Sequence, residues 1–468
     1  MPPLREESRR PVTAPRRVTL LTVGDEPSAV DTAERFARDL GFDVVRRSAP
    51  DAFLATTTFR PDAVFVDLQG VTAGLDMLRA VRDVHSSCGI ILVTGRLEDE
   101  ETTEALRHGA LACLARPLNA DRLRDSLMTV AAGIERRERL LTHDARAAQQ
   151  FEFEGIVGRS AAVQELVDGL RRFGPHVRVV LITGEPGTGK ELVARALHRL
   201  GPRRERRFVT VGCSAGDDTL FESELFGHQR GAFAGAMEAT AGALEQADGG
   251  TLFLDEVAAV PRGLQPKLLR AIVTGEAQRI GSKDARRFDV RVVAATSRDL
   301  RAEVAAGRFR RDLYERLNAV HFAIPPLRQR REDIPLLTAA FVEDHGARSD
   351  RAVSGLTTAA ERALQQARWA GNVREFKDVI ERACSTSSSR LLGEREILAA
   401  MRASADPVDA AAARDAEHPD LLSSAQRRQI ENVLKRVGGN KTEAARLLGI
   451  SRRALYRWLE RLGMASRK

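Results

Sequence analysis

The sequence predicts a multidomain α/β chain that ends in an all-α module. Three observations carry that expectation. Short apolar runs alternate with helical patterns from residue 17 to residue 130. A GxxxxGK loop stands between an apolar run and a helical segment near the middle of the chain. The closing segment Ser423–Lys468 holds twelve Lys/Arg against three Glu, so it carries +9 of a net +8 and the rest of the chain sums to −1. A basic surplus confined to one terminal module is the electrostatic footprint of a nucleic-acid binder.

The elements follow in order. The stretch 1–16 is rich in Pro and Arg and reads as a disordered tail, with no apolar core of a secretory signal. In 17–132, Val18–Val23, Ala63–Val66, Ile90–Val93 and Leu111–Leu114 read as buried strands. Ser28–Leu40, Leu75–Val84, Glu101–Arg107 and Ala120–Ala132 read as the helices between them. Near-continuous apolar strands alternating with helices predict a parallel sheet covered on both faces. A charged helical linker is expected over 133–153, a second α/β domain over 154–324 and a helical lid over 325–402. The stretch 403–422 is rich in Ala, Asp and Pro and reads as a flexible linker. The basic module fills 423–468.

Bulk composition fits this plan. Hydrophobic residues make up 43% and charged residues 29%, as in soluble globular chains. No apolar run approaches the ~20 residues that span a bilayer, so no membrane partner is expected. Cys88, Cys113, Cys213 and Cys384 lie far apart with no metal-ligand spacing, which points to reduced thiols and a cytoplasmic location.

The strongest chemical signal is Gly184-Glu185-Pro186-Gly187-Thr188-Gly189-Lys190. It follows the apolar run Val179–Thr183 and opens the helical segment Glu191–Leu200, the context a phosphate-binding loop needs. Glycines let backbone N–H groups cradle phosphates, and Lys190 reaches the β and γ groups of ATP. The general pattern has Ser or Thr where this chain has Glu191. A second element answers the loop: Thr251–Leu254 is an apolar strand ending in Asp255-Glu256. Asp255 is suited to hold Mg²⁺, and Glu256 to polarise an attacking water.

These residues sit in a longer pattern. GEPGTGKELVARALH, ESELFGH, DGGTLFLDEV, LQPKLLRAI, VRVVAATSRDL, FRRDLYERLN, PPLRQRREDIP and WAGNVREF occur in one order. In that order they resemble the AAA+ domain of the sigma-54-dependent activators, the nitrogen-regulatory-protein-C-like response regulators. The resemblance implies a P-loop α/β domain with a helical lid, ATP and Mg²⁺ as cofactors, and sigma-54 RNA polymerase holoenzyme as partner. In the family Glu also follows the loop lysine, which accounts for Glu191. Arg310 and Arg316 match its arginine fingers, which reach a neighbour's γ-phosphate and imply a homo-oligomer, typically an active hexamer. Arg374 matches the lid arginine that senses nucleotide. Gly231-Ala232-Phe233-Ala234-Gly235-Ala236 matches the GAFTGA loop that engages sigma-54, with Ala234 in place of threonine. Phe233 keeps a large apolar contact. Two further positions depart from the family: Gly212 where an Asn holds the catalytic Glu, and Ser297 where the sensor Asn stands. Serine still donates and accepts a hydrogen bond, and glycine has no side chain to do either.

Residues 17–132 resemble a response-regulator receiver, which has a flavodoxin-like fold. Asp67 ends the VFVD run, where the phosphoacceptor belongs. Asp25 follows the first strand, Thr94 ends another, and Arg116-Pro117 follows the last. The usual first acid is Gly24, the usual Lys is Arg116, and the usual aromatic switch position is Cys113. Arg keeps the charge of Lys without its compact geometry. Two uses stay open: phosphorylation by a sensor histidine kinase, or dimerisation and partner contact without it.

In the basic module, Asn440 caps Lys441–Leu448, Gly449-Ile450 make a turn, and Ser451 caps Arg452–Leu462. The segment resembles the Fis-type helix-turn-helix that ends this family. Arg452, Arg453, Tyr456 and Arg457 are the expected contacts to phosphates and base edges of an upstream promoter site. The preceding helix is expected to pair two protomers. The chain is thus expected to regulate transcription as a DNA-bound AAA+ ATPase that remodels holoenzyme. A second reading stays open on Ala234, Gly212 and Ser297: a regulator acting by occupancy, with weak ATP turnover and no productive sigma-54 contact.

Overall fold

A computed structural model describes residues 17–404 apart from 25–26, 49–50, 53–54, 57–59, 68–70, 86, 95–99, 215–217, 234–235, 350–352 and 388. The expected tail, nearly all of the expected linker and the whole helix-turn-helix module lie outside the described residues. So do Asp25, Ala234, Gly235, Arg452, Arg453, Tyr456 and Arg457.

The first sheet holds five parallel strands: β1 (Thr19–Gly24), β2 (Asp43–Arg47), β3 (Ala63–Asp67), β4 (Gly89–Thr94) and β5 (Ala112–Ala115), in the order β2-β1-β3-β4-β5. All five residues of β3 are buried, as expected of a strand covered on both faces. Leu20, Phe65, Ile91, Leu123 and Leu127 form the core on one face, and Leu21, Val64, Leu78 and Ile90 on the other. β2 was not foreseen. Its sequence DVVRR is charged and none of it is buried, because it is an edge strand. The last strand begins at Ala112 rather than Leu111, which is 42% exposed.

The expected helix over Ala120–Ala132 and the helical linker expected after it form one element. One helix runs unbroken from Ala120 to Gln150, capped by Asn119, whose Oδ1 accepts N–H bonds from Asp121 and Arg122 at 2.9 and 3.1 Å. Leu123, Leu127, Val130 and Ile134 of this helix pack on the first sheet. Its second half lies against the lid helix Ile334–Arg348. Arg137 donates to the Leu356 carbonyl at 2.7 Å, and the lid's Leu391 is buried within the first sheet's core.

The second sheet also holds five parallel strands: β6 (Val179–Thr183), β7 (Phe208–Gly212), β8 (Thr251–Asp255), β9 (Arg291–Thr296) and β10 (His321–Ala323), in the order β10-β6-β9-β8-β7. This order places the ends of β6, β8 and β9 side by side. The lid follows as four helices, Ile334–Arg348, Thr358–Gln366, Asn372–Thr386 and Glu394–Ser404. The fully buried Asp333 carboxylate accepts the N–H groups of Arg159 and Ser160 and the Ser160 hydroxyl, tying the lid's start to the α/β domain.

Candidate nucleotide site

β6 delivers the chain to the carboxyl edge of the second sheet, where residues 184–189 turn into the helix Lys190–Leu200. Helix N-terminal N–H groups and the helix dipole favour an anion here. The loop requires glycine at two points. Gly187 has φ +76° and Gly189 φ +103°, and a Cβ on Gly187 would stand 2.1 Å from the Gly371 carbonyl oxygen.

Lys190 is 8% exposed, and its Nζ donates to the Gly184 carbonyl at 3.0 Å. The same Nζ lies 3.2 Å from Glu256 Oε1. β8 ends at Asp255, whose Oδ1 accepts the Glu256 N–H at 3.1 Å. Glu256 has φ +52°, and its Oε2 accepts the Ser297 N–H at 2.9 Å and the Ser297 hydroxyl at 2.8 Å. These neighbours separate the two acids. Burial, then repulsion from Glu256, pushes the Asp255 carboxyl up. Burial also pushes on Glu256, but the two Ser297 hydrogen bonds and the Lys190 ammonium outweigh it and hold that carboxyl below its usual value.

The lid is strapped to the loop. Arg328 donates to both carboxylate oxygens of Glu185 at 2.6 Å, and Asn372 Nδ2 donates to the Pro186 carbonyl at 3.0 Å. The Arg374 N–H donates to the Gly187 carbonyl at 3.2 Å. The hydrogen bonds from Arg328 and then Asn372 bring the Glu185 carboxyl down to about 2. Sequence reasoning assigned no role to Arg328 or Asn372, although both fall inside the quoted PPLRQRREDIP and WAGNVREF motifs. The Thr188 hydroxyl donates to the Glu185 carbonyl at 2.8 Å. Glu191 is paired with Arg195 one helical turn on at 2.6 Å, and its charge adds to the upward push on the Asp255 carboxyl.

The two arginines singled out as trans-acting stand elsewhere. Arg310 is paired with Asp312 at 2.7 Å. Arg316 lines a cleft with Arg178, Val179, Phe288 and Val290. That cleft lies at the start of β6, the opposite edge of the sheet from residues 184–189.

In the loop Gly231–Ala236, the Gly231 N–H donates to the Ala236 carbonyl at 2.8 Å, and the Phe233 ring sits edge-on to His228 at 5.0 Å. In the first domain, Asp67 is fully buried, pairs with the Arg116 guanidinium and lies opposite Gly24 in the β1–β3 register. The Arg116 N–H donates to the Thr94 carbonyl at 3.2 Å, so these three residues share one edge of the sheet. A Cβ on Gly24 would stand 2.5 Å from Val30 Cγ2. The Arg116–Pro117 peptide is cis. Cys88, Cys213 and Cys384 are buried free thiols and Cys113 is half-buried.

Residues 20–128 match the response regulator receiver domain, 156–323 the Sigma-54 interaction domain, 328–414 an AAA+ ATPase lid domain and 422–462 the Fis family of bacterial regulatory proteins. The chain is 40% identical over 447 residues to the transcriptional regulatory protein ZraR of Salmonella typhimurium, covering 95% of this chain and 99% of that one. It belongs to the sigma-54-dependent response regulators. The alginate biosynthesis transcriptional regulatory protein AlgB of Pseudomonas aeruginosa is 37% identical over 465 residues, covering 97% of this chain and 99% of its own. The crystal structure of NtrX from Brucella abortus in complex with ADP aligns at 30% identity with a TM-score of 0.50, covering 96% of this chain and 100% of that one. As a member of this family the chain is a DNA-binding transcription regulator of the sigma-54 activator type, with a receiver, an ATP-binding AAA+ domain and a Fis-type helix-turn-helix. Its partners are accordingly DNA and sigma-54 RNA polymerase. Among the described residues no helix is long and apolar enough to cross a membrane.

Proposed function

We propose that the chain hydrolyses ATP in a homo-oligomeric ring, a dimer assembling to an active hexamer, and so remodels sigma-54 holoenzyme from an upstream promoter site in the cytoplasm. The observation that supports this most directly is the meeting of Lys190, Asp255 and Glu256 where β6 and β8 end. Bound Mg²⁺-ATP supplies the transferable γ-phosphoryl group and the cation that offsets its charge. Backbone N–H groups of Gly184–Gly189 cradle the phosphates, and Lys190 pairs with the β and γ groups. Asp255 would hold the Mg²⁺ that accompanies ATP, since a carboxylate is the oxygen ligand that cation takes. Glu256 orients and deprotonates the attacking water. Arg374 reads the nucleotide from the lid. A side chain at the start of β6, as Arg316 is, reaches a phosphate at the far edge only in a neighbouring subunit. We therefore assign Arg310 and Arg316 to the neighbour's γ-phosphate.

In this reading the loop Gly231–Ala236 meets sigma-54 through Phe233, and Arg452, Arg453, Tyr456 and Arg457 contact DNA. A sensor histidine kinase is the partner class that the receiver match implies. The test is transcription from a sigma-54 promoter by purified protein and holoenzyme, with and without ATP. Wild type should require hydrolysable ATP, and Glu256→Gln should bind ATP, turn over at least 100-fold more slowly and give no transcript. ATP-independent activation would leave the protein an occupancy regulator.

A further inference from the structure

Arg330, at the start of the lid, is a charge enclosed with little to hold it. It is 4% exposed, and its Nε has no hydrogen-bond partner. Its Nη2 donates to the Thr188 carbonyl across a long 3.4 Å. The acid that steadies its charge, Asp333, is taken up by other donors. The Asp333 carboxylate accepts the Arg159 and Ser160 N–H groups and the Ser160 hydroxyl, all at 2.7 to 2.8 Å. An arginine stays charged even so. A buried cation this poorly satisfied does little for folding, and an apolar side chain of similar size often serves the fold as well or better. Its place gives it another use. Thr188 is buried and belongs to the phosphate loop, two residues before Lys190. The peptide whose carbonyl faces Arg330 carries the Gly189 N–H at its other end. A cation on a carbonyl polarises its peptide and strengthens the donor at the far end.

We propose that Arg330 is a positioning residue for nucleotide phosphates: a fixed charge behind the loop that orients and polarises the Thr188–Gly189 peptide. It acts through the loop backbone, on the side away from the anion. The low local dielectric that makes the charge costly also extends its field to the phosphates. This inference rests on residues 184–190 receiving the phosphates.

The experiment measures ATP and ADP affinity by calorimetric titration, and thermal melting without nucleotide, on the full chain. The variants are Arg330→Met, Arg330→Gln, Arg330→Lys and Lys190→Ala. Arg330→Met removes the charge and keeps most of the volume. Its Kd for ATP should rise about tenfold and its Kd for ADP about threefold, because the effect scales with ligand charge. Its melting temperature without nucleotide should stay the same or rise, which a residue serving only the fold would not allow. Arg330→Gln keeps a donor without the charge and should share the loss, and it decides the matter should Arg330→Met not fold. Arg330→Lys keeps the charge and should bind ATP within about threefold of wild type. Wild-type affinities in the folded Arg330→Met and Arg330→Gln proteins would overturn the proposal. So would equal losses in all three variants with lowered melting temperatures, which would make Arg330 a strut of the fold. Lys190→Ala separates the two levels. Lost ATP binding there beside wild-type affinity in Arg330→Met removes only the role of Arg330. Undiminished binding in Lys190→Ala removes the phosphate site and this inference with it.

Discussion

The Glu185 carboxylate and the Arg328 guanidinium meet in a two-pronged pair, both contacts at 2.6 Å, and so join the phosphate loop to the first residues of the lid. A planar fork on a carboxylate fixes direction as well as distance. The pair is 38% and 43% exposed, so solvent and salt screen it and its worth to global stability is small. Its effect belongs to the loop–lid geometry. Arg328→Ala should raise KM for ATP about three- to tenfold with little change in melting temperature. Arg328→Lys should recover only part, since an ammonium lacks the fork. Nucleotide titration and thermal melts of the three proteins check this.

The same pair gives a pH dependence of definite sign. The Glu185 carboxyl is depressed to about 2 in the folded protein, against 4.5 ordinarily. Its stabilising contribution is therefore fully present above about 4.5 and is lost as pH falls toward 2. Carboxylate NMR should show Glu185 titrating below the usual carboxylate range in wild type and returning toward it in Arg328→Ala, and the same midpoint in both would contradict it.

Gly187 tests the loop's backbone. Its φ of +76° and the Gly371 carbonyl 2.1 Å from a hypothetical Cβ forbid a methyl without displacing the lid. Gly187→Ala should cut ATP affinity by at least tenfold. Gly189→Ala meets nothing closer than Leu192 at 3.7 Å and carries only the strain of φ +103°, so its loss should be smaller. Equal losses in the two variants would show that backbone strain, not the lid contact, decides.

How much of this was legible in the sequence follows from what is local. The apolar strands, the phosphate loop and the Asp255-Glu256 corner are contiguous patterns, and each falls where the sequence places it. The edge strand Asp43–Arg47 escaped because a half-solvated strand carries no apolar run. The helical continuation to Gln150 is legible in the sequence, but the change of partner along its apolar stripe, from the first sheet to the lid, is not. Arg328 with Glu185, Asn372 with Pro186 and Val30 beside Gly24 are pairings across space. No spacing in the sequence announces them.

Arginine position carries a prediction about assembly. Arg316 stands at the sheet edge away from its own phosphate loop, and Arg310 is held by Asp312. If both act on a neighbour's nucleotide, ATPase activity per molecule should rise with protein concentration. Arginine fingers are worth roughly 10³–10⁵ in rate in well-studied phosphoryl-transfer proteins. Arg310→Ala and Arg316→Ala should each lose at least 100-fold, and mixing either with wild type should depress the wild-type rate. A rate independent of concentration in a species that sedimentation shows to be monomeric would rule the ring out.

The receiver gives the last prediction. Asp67 is fully buried with the Arg116 guanidinium on its carboxylate, so a fixed internal cation already offsets its charge. The acid that would help recruit a divalent ion is Gly24, and Val30 Cγ2 lies 2.5 Å from any Cβ placed there. The cation site has thus lost a ligand and the space for it. Fewer carboxylates offset less of the dehydration of Mg²⁺. Acetyl phosphate with Mg²⁺ should therefore label Asp67 at well below one phosphate per chain and leave assembly and ATPase rate unchanged. Restoring the acid alone should fail, because Gly24→Asp collides with Val30. Gly24→Asp with Val30→Ala and Arg116→Lys removes the Val30 clash, leaving the Asp67 carbonyl oxygen 3.0 Å from the new Cβ, and replaces the fork with a point charge, and that triple variant should gain label. Arg116→Met in the wild-type background should lower stability by several kcal/mol, because it removes the cation from a buried carboxylate. Stoichiometric labelling of wild type that Asp67→Asn abolishes, with a change in assembly, would show instead that Arg116 yields its place and the receiver works as a phosphorylation switch.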